Sequence, residues 1–356
     1  MADSNFSGFN VSNKYHIGSI LGSGAYGIVR SAVHRPSGQK VAIKRIELPN
    51  IPIFCLRALR EIKLLRRISH ENIISILDIE RPYCYSELTE IYIVQEIMDT
   101  DLHKAIKSQL LTDDHGQFLI YQSLCALKAL HSLNIIHRDL KPSNILLSED
   151  CDLKICDFGL SRSTKSSHQS QGFMTEYVVT RWYRAPELMW SPGTYTNAID
   201  IWSLGCIFAE ILRGRPIFPG KHFLHQLSTI FDILGSPTAE FCRSIRSPHA
   251  RNYILSMPYK SPVPFRDLFP TASSQAIDLL QKMLTLDPSK RITAKEALKH
   301  PYVEMYYDPA DEPNIAFHPG GSTDLIKAEE GLCLEEIKRL ISEEIDAIQT
   351  QSEGYY

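Results

Sequence analysis

The run His137-Arg138-Asp139-Leu140-Lys141-Pro142-Ser143-Asn144, followed by Asp157-Phe158-Gly159, sets two carboxylates, an amine and an amide at separations that phosphoryl transfer needs. Asp139 is suited to orient an attacking hydroxyl and accept its proton. Lys141 is suited to neutralise the moving phosphoryl group. Asn144 and Asp157 offer hard oxygen ligands, which suit magnesium better than imidazole or thiolate would. These residue types together predict an enzyme.

A second set lies nearer the N-terminus. Leu21-Gly22-Ser23-Gly24-Ala25-Tyr26-Gly27-Ile28-Val29 falls between two expected strands. Three glycines so spaced mark a hairpin, a dinucleotide fold or a triphosphate loop. The dinucleotide version requires a helix after the glycines, and Ile28 to Val33 reads as a strand instead. Without side chains in the way, backbone N–H groups can approach triphosphate oxygens. Val41-Ala42-Ile43-Lys44 closes the next strand, where an isolated lysine would ordinarily be a surface residue. Glu61 follows on an expected helix and can hold Lys44 against the α- and β-phosphates. Gln95-Glu96-Ile97-Met98 is expected to present backbone groups to adenine, with Gln95 at the rear of the pocket and Asp101 near the ribose. A polar strand end would read the same way. The expected cofactors are ATP and Mg2+.

The elements that must position these groups divide into two kinds. Short β-rich runs at Ile17–Leu21, Ile28–Val33, Val41–Ile46, Ile76–Ile79 and Ile91–Val94 are interrupted by one helical stretch, Ile53 to Arg67. After Asp99 helices dominate, and Phe118, Tyr121, Leu124, Leu127 and Leu130 define a long amphipathic one. Short strands are expected at Asn144–Leu147 and Leu153–Cys156, and Ile199 to Leu212 reads as a buried helix. The pattern predicts an α+β chain of two lobes, a small antiparallel β-rich one with a single helix and a larger mainly helical one, with a ligand cleft between them. The boundaries fall at a polar leader 1–14, a small lobe 15–98, a large lobe 99–303 and a C-terminal extension 304–356. Ser161 to Gly172 has no large apolar side chain and predicts a mobile loop. Leu332 to Ile348 is expected to be an amphipathic helix that packs back against the small lobe.

Composition narrows the class. A formal net charge of -3 and the lack of a Lys/Arg stripe argue against direct nucleic-acid binding. No stretch approaches the roughly 20 apolar residues that cross a bilayer, and Met-Ala-Asp-Ser-Asn carries neither a basic start nor an apolar signal core. Eight scattered cysteines without zinc spacing fit reduced thiols in the cytosol or nucleus.

These motifs resemble a eukaryotic protein kinase over residues 15–303, and Ala185-Pro186-Glu187, Asp200-Ile201-Trp202-Ser203-Leu204-Gly205 and Arg291 continue the pattern. The resemblance implies that Glu187 pairs with Arg291 and that Asp200 braces the catalytic loop. Thr175-Glu176-Tyr177-Val178-Val179-Thr180-Arg181-Trp182-Tyr183-Arg184 resembles the dual-phosphorylation lip of mitogen-activated protein kinases. Glu between the two acceptors points to the extracellular-signal-regulated class, since stress-activated relatives carry Gly or Pro there. Similarity extends through Arg251–Ser256 and Tyr306–Pro313, and it embraces fungal mating and filamentation kinases as well as animal relatives. Three departures stand out. Ser161 replaces a usual Ala, Val179 replaces another, and Ser23 stands where Glu is common.

The resemblance implies a proline-directed Ser/Thr kinase activated when an upstream dual-specificity kinase phosphorylates Thr175 and Tyr177. Each phosphate adds about -1.5 to -2 charges and three strong acceptors. Phosphorylated Thr175 would collect Arg60, Arg138 and Arg162 and draw Glu61 toward Lys44, while phosphorylated Tyr177 would take Arg181 and Arg184. Asp308, Asp311 and Glu312 would dock basic segments of activators, substrates and phosphatases, although acidic clusters are commonly only solvated surface. Nuclear as well as cytoplasmic residence is a further implication. The competing reading, an inactive scaffold, ordinarily lacks one of Lys44, Asp139, Asn144 or Asp157, and all four are present. A metabolic dinucleotide enzyme lacks support because the strand–glycine–helix order is absent.

Overall fold

The structure, a computed structural model, describes residues 9–24, 27–80, 88–164, 181–190, 195–308, 316–317 and 331–352. Ala25, Tyr26, Thr175, Tyr177, Val179, Asp311 and Glu312 lie outside these. The chain divides into two compact units, the first comprising Met1–Ser69, Ile73–Asp99 and Ile315–Tyr356, the second His70–Asn72 and Thr100–Asn314.

In the first unit β1 (Tyr15–Gly24), β2 (Gly27–His34), β3 (Lys40–Glu47), β5 (Ile76–Glu80) and β6 (Glu90–Glu96) form one antiparallel sheet in the order β1-β2-β3-β6-β5. Helix α1 (Pro52–Arg67) and the two-residue β4 (Ile68–Ser69) lie between β3 and β5 in sequence. Directly paired residues share a face of a sheet. Val29 pairs with Lys44 and Lys44 with Ile93, while Ala42 pairs with Gln95. Strand alternation therefore puts Val29, Ala42, Lys44, Ile93 and Gln95 on one side. Val41, Ile43, Tyr92 and Val94 form a separate core with Tyr15 and Ala32. On the Lys44 side, Ile46, Ile91 and Ile93 pack against Cys55, Ala58, Leu59 and Ile62 of α1, which delivers Glu61 to the lysine.

The second unit begins with β7 (Thr100–Asp101), α2 (Leu102–Ser108) and α3 (Asp113–Ser132), followed by β8 (Ile135–Ile136). A 3-10 turn at Pro142–Asn144 then leads into β9 (Ile145–Leu147), β10 (Leu153–Ile155) and β11 (Arg162–Ser163). Strands β10, β9 and β7 pair in that order, and β11 pairs with β8. The loop expected from Ser161 thus opens with a short strand at Arg162–Ser163, because Ile135–Ile136 offers it an unpaired ladder; residues 165–172 lie outside the described residues. Asn144, expected as strand, ends the 3-10 turn, since Pro142 has no N–H to donate to a ladder. Helix α4 (Glu187–Trp190) precedes α5 (Ala198–Arg213), and Ile199 through Glu210 are all buried. A Cβ on Gly205 would sit 2.9 Å from Leu284 Cδ2 and 3.0 Å from Met283 Cβ, so glycine permits that close packing. Helices α6 (Phe223–Leu234), α7 (Ala239–Ser244), α8 (Pro248–Ser256), α9 (Phe265–Leu268), α10 (Ser274–Met283) and α11 (Ala294–Ala297) complete the unit. No helix among the described residues is long and apolar enough to cross a membrane.

The C-terminal segment returns to the first unit. Strand β12 (Ala316–Phe317) pairs with β4, and α12 (Leu334–Ser352) packs along α1 as the sequence predicts. Ile337, Ile341, Ile345 and Ile348, four or three residues apart, form one apolar stripe that joins the α1 core. Glu344 closes the contact by pairing with Arg66 Nε at 2.6 Å and Arg67 Nη2 at 3.0 Å. Ile341 has 0% of its surface exposed, so Ile341→Ala is expected to destabilise the first unit by about 2–5 kcal/mol. Arg339→Ala on the exposed side should stay within about 0.5 kcal/mol. Urea titration followed by far-ultraviolet circular dichroism measures both.

Candidate active site

Each unit assembles one group of reactive side chains. In the first, Lys44 Nζ donates to Glu61 Oε1 at 2.7 Å, and Glu61 is buried. The pair is closed in this structure. Gln95 is buried on the lysine's face of the sheet, and its Nε2 has no hydrogen-bond partner among the described residues. Glu96 accepts from Ser75 N–H at 3.1 Å, and Met98 lies half-buried just past the strand.

The glycine run forms the β1–β2 hairpin, with Ser23 opposite Ile28 and Gly24 opposite Gly27. Gly27 has φ +142° and any Cβ there would overlap the Arg45 carbonyl, so this glycine serves the sheet itself. At Gly22 and Gly24 a Cβ would meet no atom of the described residues within 4 Å, so packing among them does not require glycine there. Leu21 and Val29 are half-buried on the flanking strands. Asp101, assigned to the ribose from sequence, belongs to the second unit and caps α2, accepting from Lys104 N–H at 3.0 Å.

In the second unit Asp139 is held on two sides. Lys141 Nζ donates to its Oδ2 at 2.8 Å, and Asn144 Nδ2 donates to its backbone oxygen at 2.9 Å and to Oδ2 at 3.2 Å. Burial pushes the Asp139 carboxyl above the usual aspartate range, Lys141 opposes that rise, and the charge of Asp157 adds to it. Asp157 has φ +67°, a left-handed conformation costly for a non-glycine residue. Its flanks pin it: Cys156 N–H donates to Asn144 O at 3.0 Å, His137 Nε2 lies 3.0 Å from Cys156 O, and Phe158 is wholly buried edge-on to His137. His137, Asn72 and Gln122 went unassigned in the sequence reading. Gln122 accepts from Leu153 N–H at 2.8 Å and from Asn72 Nδ2 at 3.1 Å, which fixes the strand leading to Asp157. A glutamine within the apolar repeat of α3 was the available signal.

Asp200 carries the catalytic loop. Its Oδ1 accepts from Arg138 N–H at 2.9 Å, its Oδ2 accepts from His137 N–H at 2.9 Å, and His131 Nε2 lies 3.0 Å away. Complete burial alone would raise this carboxyl, but its bond to His131, the electrostatic attraction of His131 and His137 and the backbone bond from Arg138 hold it below the ordinary range. Arg138 consequently keeps φ +68°. Farther along, Arg291 and Glu187 form a buried bidentate pair at 2.7 and 3.0 Å.

The arginines assigned to lip phosphates occupy three places. Arg138 and Arg162 both donate to Leu160 O, at 3.4 and 3.3 Å, and Arg162 also reaches Ser161 O at 2.8 Å. Arg181 donates to Lys221 O at 3.2 Å, and Arg184 begins just past the same 3-10 turn. Arg60 is buried in α1 of the first unit. Asp308 is exposed.

The donor set fits magnesium. Asn144 commits its nitrogen to Asp139, which leaves its Oδ1 as the oxygen donor, and Asp157 contributes a carboxylate. No cluster of three or more His, Cys, Asp or Glu suited to a metal occurs among the described residues. Magnesium does not ask for one, because it is held by one or two protein oxygens together with substrate phosphates and water.

The family described as protein kinase domain matches residues 15–303. Mitogen-activated protein kinase mpkB of Aspergillus fumigatus is 57% identical over 337 residues, covering 95% of this chain and 96% of its own. A mitogen-activated protein kinase of Fusarium vanettenii is 58% identical over 337 residues, 95% of each chain. Extracellular signal-regulated kinase 1 of Candida albicans is 53% identical over 352 residues, 95% of this chain and 85% of its own. The chain belongs to the mitogen-activated protein kinases within the protein kinase family. It is thus a Ser/Thr protein kinase of a phosphorylation cascade that uses ATP.

Ser161, one of the departures noted above, has 0% of its surface exposed, and its hydroxyl has no hydrogen-bond partner among the described residues. Burying such a hydroxyl costs about 1–3 kcal/mol. Ser161→Ala is therefore expected to raise thermal stability, by about 1 kcal/mol after the small packing loss. Differential scanning calorimetry decides it; a lower melting temperature would mean that the hydroxyl has a partner.

Proposed function

We propose that the chain transfers the ATP γ-phosphate to Ser or Thr hydroxyls that precede proline, and that phosphorylation of Thr175 and Tyr177 switches it on. The observation that carries the chemistry is Asp139, a buried carboxylate flanked by an amine and an amide. Its free oxygen edge aims the acceptor hydroxyl and takes its proton, while Lys141, bonded to Oδ2, balances charge as the phosphoryl group moves. Lys44, kept in register by Glu61, holds the α- and β-phosphates, and the backbone around Gly22, Ser23 and Gly24 covers them. Asn144 and Asp157 would hold Mg2+, which would supply positive charge against the nucleotide phosphates. Gln95, Glu96 and Met98 border the adenine, and Asp101 keeps its cap alongside any ribose contact.

Regulation follows from charge. Arg138 and Arg162 already meet at one carbonyl oxygen, and two guanidiniums so placed favour a phosphate dianion. Arg181 and Arg184 shape the pocket for the residue after the acceptor, where proline fits because it brings no N–H to bury. An upstream dual-specificity kinase of the cascade is the activator.

Asp308 continues past Tyr306, which lines a hollow of about 320 Å³ with Phe118, Cys151, Asp114, Glu149 and Asp150. A lining that mixes carboxylates with aromatic side chains suits basic segments of activators, substrates and phosphatases that also carry apolar side chains. Asp311 and Glu312 would extend that acidic margin. Residence in cytoplasm and nucleus completes the reading.

The test compares Ser-Pro and Ser-Ala peptides after treatment with an activating dual-specificity kinase. At least a tenfold higher kcat/KM for Ser-Pro is expected, and Thr175→Ala/Tyr177→Phe should abolish the activation. Equal turnover of the peptides would reject proline direction, and full activation of the double variant would reject control by the lip.

A further inference from the structure

Arg138 is gripped twice by the segment that begins α5. Asp200 in the first turn of that helix takes the Arg138 backbone N–H at 2.9 Å. Tyr195, just before the helix, places its ring under the side chain, with the Arg138 guanidinium carbon 4.1 Å from the ring centroid. One short segment thus sets the backbone of this residue and also the direction of its charged end. Nothing in the spacing of the motifs points to Tyr195.

From this juxtaposition we infer that Tyr195 is a positioning residue for the lip switch: its ring holds the Arg138 guanidinium where phosphorylated Thr175 must find it. The inference rests on the proposed reading of Thr175. Stacking of a planar guanidinium uses its face, whereas phosphate is bound by N–H donors in its plane. The ring therefore does not compete with the phosphate for those donors. It also faces a real demand. Among the described residues the Arg138 guanidinium makes a single hydrogen bond, a long one of 3.4 Å to Leu160 O, an oxygen that it shares with Arg162. Two cations converging on one carbonyl repel each other, and without the ring an arginine side chain with several rotatable bonds would swing toward water. Holding it in advance removes the ordering cost from the moment of phosphate binding. A benzene ring does this as well as a phenol, because the attraction comes from the ring face.

The experiment uses the full chain as wild type, Tyr195→Phe, Tyr195→Leu and Thr175→Val, each treated with an activating dual-specificity kinase until intact mass shows equal lip phosphorylation at the available sites. The readout is the activation ratio, kcat/KM for a Ser-Pro peptide after treatment divided by that before. Tyr195→Leu is expected to lower the ratio roughly 3- to 30-fold, and Tyr195→Phe to keep it within about twofold. Should Tyr195→Leu fail to fold, Tyr195→Met removes the ring face while retaining bulk, and its ratio is expected to fall by the same amount. An unchanged ratio in the ring-less variant overturns the inference. So does an equal fall before and after treatment, which would mark a merely structural side chain, and so does a fall in Tyr195→Phe as large as in Tyr195→Leu. If wild type is activated no more than Thr175→Val, the reading of Thr175 itself fails, a result separable from the others because it appears without any change at Tyr195.

Discussion

The arrangement depends on one carboxylate that performs no chemistry. Asp200, wholly buried in the first turn of α5, accepts the backbone N–H groups of both His137 and Arg138. Two consecutive amides cannot be satisfied by one side chain unless the chain turns sharply, and Arg138 makes that turn at φ +68°. A strained residue of this kind persists only where its surroundings over-determine it. The orientation of Asp139, the next residue, follows from the turn. Had Asp200 been left unpaired, its buried charge would be strongly unfavourable; with its three partners the carboxyl is held below its usual range despite burial.

The same economy recurs around the site. Lys141, Asn144 and Asp139 form one bonded group within six residues of chain, and His137 links that group to the turn before Asp157 through Cys156 O. In the other unit the position of Glu61 derives from apolar packing, since α1 is clasped between the sheet and the isoleucine stripe of α12. Each set of reactive groups is therefore complete inside its own unit. The polar contacts give direction, and the hydrophobic contacts give rigidity.

Much of this was legible in the chain. Short runs rich in Ile, Val and Leu marked all five strands of the large sheet, and the lysine-to-glutamate spacing anticipated the 2.7 Å pair of Lys44 and Glu61. What escaped depends on three-dimensional neighbours that no local pattern encodes. Gly27, expected along the phosphates, is also demanded by the sheet, because the Arg45 carbonyl excludes any side chain there. Asp101, expected near the ribose, also caps α2, a second role open to any aspartate just before a helix. Ser161 reads as a loop residue from its polarity but is fully buried, and Arg162–Ser163 pairs as a strand because Ile135–Ile136 supplies the partner. Gln122 disappeared into the apolar rhythm of α3 while anchoring β10.

The most direct test of the whole account is Asp139→Asn, which keeps shape and removes the proton acceptor. Rapid-quench phosphoryl transfer by the doubly phosphorylated enzyme should fall about 10²- to 10⁴-fold, with ATP affinity measured by calorimetry unchanged within about threefold, because Lys44 and Glu61 are untouched. Transfer that stayed within threefold of wild type would show that Asp139 does not steer the acceptor hydroxyl and would contradict the account at its centre.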